Sequence, residues 1–173
     1  INDVTKSVYR DEGMRATTIE SLGDLKPIID SSIHTAGNAS QISDDSAAVL
    51  WMTVNEAKRR GLKPRARIIT DCTVGTDPYY LLDGPVDATT QMFKTSGMTM
   101  NDIDLFEINE AFAAVLLSSA QVFDADTSKD NVNGGAIALD HPVGSTGARL
   151  YCNAVHQLER PDKNPTMLAM FLR

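Results

Sequence analysis

The sequence predicts an α/β layered fold, and three observations carry that prediction. Hydrophobic periodicity switches repeatedly between helical and strand-like spacing. From Ala66 onward the elements read strand, helix, strand, helix, strand, helix, strand. The 173 residues are 42% hydrophobic and 23% charged, which suits a globular unit able to bury roughly 70% of its unfolded surface.

Each element has a local reason. Thr17 with Glu20 forms a capping box ahead of Leu22 and Leu25, and Pro27 limits that helix. Thr35 to Ser43 is small and polar, hence a loop. Ser43 or Asp44 then caps a helix from Ser46 to Arg60 that stops at Gly61, with Lys58, Arg59 and Arg60 in the last turn, where cations suit the dipole. Ala66 to Val74 reads as a strand. Gly84-Pro85 starts a helix that ends at Gly97, with Val86 and Phe93 facing inward. Ile103 to Ile108 alternates and reads as a strand. Glu110 to Phe123 is an apolar, largely buried helix. Asn131 to Leu139 reads as a strand interrupted by Gly134-Gly135, and the loop Asp140 to Gly144 follows. Ser145 or Thr146 opens a helix to about Arg160, and Thr166 to Leu172 is a final apolar strand.

Composition excludes several classes. With 16 Lys+Arg against 23 Asp+Glu the net charge is -7, which argues against a dedicated nucleic-acid binder. Two cysteines, Cys72 and Cys152, form no disulfide framework and read as free thiols of low reactivity in a reducing, cytoplasmic compartment. No apolar run approaches the ~20 residues of a membrane span; the longest, Ala111 to Leu117, is preceded by Glu110. Ile1 to Arg15 is too polar for a signal peptide, and the opening at Ile1 leads us to expect a chain that starts inside a longer sequence. His34, His141 and His156 lack metal-ligand spacing, so no metal is expected. Phosphate-cradling glycine motifs are absent.

Three segments carry possible chemistry. Asn109-Glu110-Ala111-Phe112-Ala113-Ala114 puts a polar pair at the end of a strand, where open α/β sheets place ligands. On spacing alone, Asn109 as a helix cap and Glu110 as a partner of the helix dipole is the preferred reading. Gly134 to Gly144 places His141 between a strand and a glycine-rich helix start. That histidine is either a base or hydrogen-bond donor near neutral pH or a loop residue bonded to a carbonyl, and spacing does not decide. Gly37-Asn38-Ala39-Ser40-Gln41 is a polar turn able to hydrogen-bond a ligand. The basic set Lys58, Arg59, Arg60, Lys63, Arg65 and Arg67 reads as a solvated helix end and loop.

In combination the segments are far more specific. Gly37-Asn38-Ala39-Ser40, Asn109-Glu110-Ala111-Phe112-Ala113, Asn131-Val132-Asn133-Gly134-Gly135-Ala136-Ile137-Ala138, His141-Pro142 and Gly147-Ala148-Arg149 together resemble the thiolases over essentially the whole chain. Lys58 to Pro64 and Gly84-Pro85-Val86 add to the likeness, and its flavour is that of the degradative 3-ketoacyl-CoA class, bacterial steroid side-chain enzymes included. The resemblance implies a thiolase-like mixed sheet covered by helices, represented by its C-terminal half. Residues 1–42 would end the family's loop domain, 43–62 would be the closing helix of an N-terminal domain, and 63–173 would be the C-terminal domain.

The implied activity is acyl transfer: cleavage of 3-ketoacyl-CoA by CoA, or the reverse condensation in fatty acid or steroid β-oxidation. Coenzyme A would be a substrate, with no tightly bound cofactor. His141 would activate the nucleophilic cysteine and donate to the thioester oxygen, Asn109 would hold a water donating to that oxygen, and Ser40 would contact pantetheine. The implied partners are acyl-CoA or CoA and either further copies of the chain or a complementing thiolase polypeptide. The sequence also departs from the family. The family's nucleophile precedes the matched portion, and ungapped alignment of the last strand puts Phe171 at the second cysteine, with Leu172-Arg173 in place of a glycine turn. Asp140 and Asp45 stand where the family has glycine. The chain alone is therefore expected to be inactive, as part of an enzyme or as a thiolase-like acyl-CoA binder or scaffold. A small interaction domain with an inert His141 is the third possibility.

Overall fold

The computed structural model describes residues 7–11, 13–160 and 166–170. The chain divides into two compact units, residues 1–37 and 38–173.

In the first unit, helix α1 (Ile19–Gly23) is capped by Thr18. Thr18 Oγ1 accepts from the Ser21 amide at 3.2 Å, and Ser21 Oγ accepts from the Thr18 amide at 2.9 Å. The box therefore sits one residue later than the sequence suggested and is closed by Ser21, because a serine at the third helical position reaches back as glutamate would. Beyond α1 the Ile28 amide donates to the His34 carbonyl at 2.7 Å, which closes a short loop. A Cβ on Gly37 would lie 2.6 Å from a Leu22 methyl and 2.9 Å from a Leu25 methyl, so a side chain there would make both leucines shift.

The second unit is built on two parallel strands, β1 (Leu105–Ile108) and β2 (Met167–Met170), paired Leu105 to Met167 through Ile108 to Met170. Side chains alternate between the two faces of such a sheet. Phe106 and Ile108 bury into an apolar core with Ile103, Val115, Leu168 and Met170. Helices α3 (Gly84–Ser96) and α4 (Ala113–Phe123) cover that face through Met92, Phe93 and Leu116. Helix α6 (Thr146–Leu158) packs on both strands, with Thr146, Leu150 and Ala154 buried at fourfold spacing along one stripe. Pro85 at the start of α3 and left-handed Gly97 (φ 73°) at its end set that helix's limits as expected.

Three elements differ from the sequence reading. The helix expected over Ser46 to Arg60 is confined to α2 (Val54–Arg59), capped by Thr53 Oγ1 accepting from the Glu56 amide at 3.3 Å. Leu50 and Trp51 stay largely exposed, with Trp51 meeting the structure only edge-on at Tyr151 of α6 (ring centroids 4.9 Å apart), and so sparse a contact does not hold an amphipathic helix. Asp45 consequently opens no helix; it accepts from the Ser46 amide at 2.6 Å and the Ser145 hydroxyl at 3.3 Å.

Among the described residues, the stretch expected as a strand over Ala66 to Val74 has no strand assignment and joins no sheet. Thr70, Cys72 and Val74 are half-buried while their odd-numbered neighbours are exposed. Thr70 Oγ1 lies 3.5 Å from Thr95 Oγ1, and Cys72 Sγ donates to the Ala88 carbonyl at 3.4 Å, so the segment lies along α3. No backbone hydrogen bond joins residues 63–76 to another described residue.

No strand forms over Asn131 to Leu139; a single parallel bridge between Phe106 and Asp130 stands just before it. Positive φ at Asn131 (44°) and Gly134 (94°) then turns the chain into the short helix α5 (Ala136–Leu139). The last three residues, including Phe171, lie outside the described residues.

Candidate active site

Asn109 follows β1 directly and is fully buried. The strand fixes its backbone, since the Asn109 amide donates to the Met170 carbonyl at 2.9 Å. His141 lies 32 residues further on, in the loop between α5 and α6. Its backbone amide donates to the Gln41 carbonyl at 2.9 Å. The two side chains meet: Asn109 Nδ2 lies 3.4 Å from His141 Nε2. On the other side of the ring, His141 Nδ1 lies 2.7 Å from the hydroxyl of fully buried Thr146. A hydroxyl donates or accepts, so Thr146 supports the imidazole with its proton on either nitrogen. With Nε2 accepting from Asn109, the proton sits on Nδ1 and is donated to Thr146 Oγ1. Burial, with a smaller contribution from the Arg149 guanidinium, pushes the His141 pKa below its ordinary value and favours the neutral ring. A neutral imidazole with one bare nitrogen is a base.

Ser40 joins this region through the backbone. Its amide donates to the Ala111 carbonyl at 3.1 Å and its hydroxyl donates to the same carbonyl at 3.2 Å, while the Ala113 amide donates to the Asn38 carbonyl at 2.9 Å. The polar turn is thus stitched to the loop that follows Asn109. The Ser40 oxygen keeps acceptor capacity for a ligand N–H.

Asp140, next to His141, adopts φ 88° and ψ 163°. That region is essentially restricted to glycine, and a side chain there costs of order 1–3 kcal/mol. Gln41 Nε2 donates to Asp140 Oδ1 at 3.3 Å, which ties down the carboxylate. The family's glycine at this position thus has a backbone reason.

Glu110 does not serve the helix that follows it. Its Oε1 accepts from Asn131 Nδ2 at 2.6 Å and its Oε2 from the Ile137 amide at 3.1 Å. A Cβ on Gly135 would come within 2.2 Å of that carboxylate, so the glycine makes room for it. Asn131 in turn completes the edge of β1. Its Oδ1 accepts from the Ile108 amide and its Nδ2 donates to the Ile108 carbonyl, both at 2.9 Å.

Sequence reasoning missed the polar layer between β1 and α6. Glu107 is 1% exposed. Burial raises its pKa to about 7, partly offset by the Arg149 cation and the Asn153 amide. The Arg149 guanidinium nitrogens are buried without a hydrogen-bond partner of regular geometry. The signal was present: Phe-Glu-Ile-Asn puts polar residues at every second position of a strand buried on both faces, and Thr146, Arg149 and Asn153 recur at helical spacing opposite it.

The two cysteines stand apart from the imidazole's partners. Cys72 donates to the Ala88 carbonyl and burial pushes its thiol pKa up, away from the reactive thiolate. Cys152 faces the Ala48 carbonyl at 3.8 Å. Three members of the basic set are engaged in surface pairs: Arg59 and Arg60 bind Glu56, and Arg65 binds Glu159 through two contacts of 2.7 and 2.6 Å. Among the described residues no group of histidines, cysteines and carboxylates is arranged to hold a metal, and no helix is long and apolar enough to cross a membrane.

Comparison with known proteins identifies the family. The thiolase C-terminal domain model matches residues 62–172, and the thiolase N-terminal domain model matches residues 1–55. The chain is 44% identical over 150 residues to the steroid 3-ketoacyl-CoA thiolase FadA6 of Mycobacterium tuberculosis, covering 87% of this chain and 37% of that protein. It is 44% identical over 165 residues to the 3-ketoacyl-CoA thiolase of Klebsiella pneumoniae, covering 92% and 43% respectively. Among solved structures, the Bacillus anthracis acetyl-CoA acetyltransferase superposes with a TM-score of 0.88 at 38% identity, over 99% of this chain and 44% of that one. The chain thus spans less than half the length of the relatives it matches. The domain models, the relatives and the shared fold together establish that this chain belongs to the thiolase family.

Proposed function

We propose that the chain carries the oxyanion-binding part of a thiolase-type acyltransferase, which cleaves 3-ketoacyl-CoA with CoA or condenses acyl-CoA units in reverse. In this reading residues 1–42 end a loop domain, 43–62 close an N-terminal domain and 63–173 form the C-terminal domain. The single observation that carries it is the approach of Asn109 Nδ2 to His141 Nε2 at 3.4 Å, at a place where both flank the end of β1. His141 takes the proton of a cysteine thiol at Nε2, and the resulting imidazolium donates to the thioester carbonyl oxygen. Asn109 holds a water that donates to the same oxygen. Preorganised donors of this kind suit charge that develops during reaction, and loss of one costs about 10²–10³ in rate. Ser40 receives an amide of pantetheine. Neither Cys72 nor Cys152 is placed to serve as the nucleophile, so a partner polypeptide or further thiolase sequence supplies it.

The Asp140 carboxylate beside His141 favours a second reading, an acyl-CoA-binding subunit without turnover, because a fixed negative charge disfavours a developing enolate. One pair of measurements separates the two. The chain is mixed with a thiolase polypeptide that supplies the nucleophile, and acetoacetyl-CoA cleavage is followed; acetyl-CoA binding to the chain alone is titrated in parallel. The acyltransferase reading expects turnover in the mixture, nearly abolished by His141→Ala and reduced about 10²-fold or more by Asn109→Ala. Binding without turnover in the mixture selects the second reading. Absence of binding, or turnover indifferent to both substitutions, overturns both.

A further inference from the structure

Asn109 and His141 reach the same place by different routes. Asn109 is covalently continuous with β1, whereas His141 belongs to a loop that enters from α5. A contact between them requires that loop to be held in register with the strand. Besides the ties from the polar turn through Gln41, a side-chain connection among the described residues runs to β1 itself, through the residue after Asn109. The Asn131 amide group is locked to the end of β1 by its two bonds to Ile108 and by its own backbone amide, which donates to the Phe106 carbonyl at 2.8 Å. Glu110 Oε1 is bound to that amide group at 2.6 Å, and Glu110 Oε2 receives the Ile137 amide at 3.1 Å. From there the chain is stiff up to the histidine, since the Leu139 amide donates to the Gly135 carbonyl and the Asp140 amide to the Ala136 carbonyl, both at 2.9 Å. No bulkier residue fits at Gly135 without expelling the carboxylate.

We propose that Glu110 is a positioning residue for His141: its carboxylate clamps the Gly135–Ile137 turn to the end of β1 and so sets where the imidazole meets Asn109. The proposal rests on the reading of His141 as a site residue and adds a residue that acts on it without touching substrate. An ionised carboxylate is the group the place requires, because it accepts two hydrogen bonds from two separate donors and itself donates none. Glutamine offers one acceptor oxygen for those two donors and loses one bond.

The experiment is nitrogen NMR of the His141 ring in the 173-residue chain. A neutral imidazole held in one tautomer gives two well-separated ring-nitrogen signals, and loss of its fixed partners averages them. The unaltered chain is expected to show separated signals. In Glu110→Gln and in Gly135→Ala the separation should shrink and the ring should titrate closer to a free histidine. The double variant should do no more than the stronger single one, since both break the same clamp. Ile103→Val, which trims the apolar core, should leave the ring signals unchanged and so separates positioning from general loosening. Unchanged His141 signals in folded Glu110→Gln would overturn the proposal, and that isosteric variant decides the matter if Gly135→Ala does not fold. Acetyl-CoA binding to the unaltered chain tests the underlying function separately: its absence sinks the acyltransferase reading while leaving the effect of Glu110 on the ring intact.

Discussion

The two faces of β1 divide the work of the molecule. Phe106 and Ile108 point into the apolar core shared with β2, α3 and α4. Glu107, on the opposite face, is buried beside the polar stripe of α6, and Asn109 continues the same polar alternation into the site. The apolar face is satisfied by contact alone. The polar face holds charged groups without regular partners, which in a low-dielectric interior is expensive. One strand thus draws stability from one side and concedes some on the other, where it presents the carboxamide. Strain at Asp140 belongs to the same polar side.

Substitutions can break this comparison in descending order of effect. Ile108→Ala on the apolar face should cost about 2–5 kcal/mol in chemical denaturation, from lost transfer energy and a cavity. It should do so with little change in the slope of unfolding against denaturant. A loss well under 1 kcal/mol would mean that this face is not the stabilising one.

Asp140→Gly should act in the opposite direction. It releases backbone strain of order 1–3 kcal/mol, offset by the extra chain entropy of glycine of roughly 0.5–1 kcal/mol, for a net gain of about 1 kcal/mol. Asp140→Asn keeps the Cβ and should show no such gain. Equal stability of the two variants would place the cost in the charge, not in the backbone.

The third effect is one of shape. Glu107 has a folded pKa raised to about 7 from an ordinary carboxylate value of 4.5. The folded state therefore binds more protons than the unfolded chain between those values, and stability from this group falls as pH rises from about 4.5 through 7. Glu107→Gln should flatten that part of the profile. His141 works the other way: its lowered pKa means that acidification below about 6.5 protonates the unfolded state first and weakens the fold. An unaltered profile in Glu107→Gln would show that the carboxylate is solvated.

Much of this was legible in the residues, for identifiable reasons. Helix α3 announced itself by Pro85 and Gly97, and α6 by its stripe. Strand β1 was visible as alternation, but reading that alternation as one strand face against another would also have exposed Glu107. Asn131 to Leu139 was misread because its β-like composition is overruled by one hydrogen-bonded carboxylate, Glu110, whose partners lie 21 and 27 residues away. No local pattern encodes such a contact. Ser46 to Arg60 was overextended because periodicity records which face wants burial and not whether a surface is there to bury it. Asn109, Ser40 and His141 drew attention individually, each with an ordinary explanation. Their convergence became visible only through likeness to a family and then through coordinates.

The stretch over residues 63–76 has a practical consequence for anyone handling the protein. With no backbone bond to another described residue, its main-chain amides should exchange quickly with solvent deuterons, and Ile68 and Ile69 are exposed along it. A charge installed at Ile69 should therefore slow self-association of the 173-residue chain in concentrated samples, which light scattering would read.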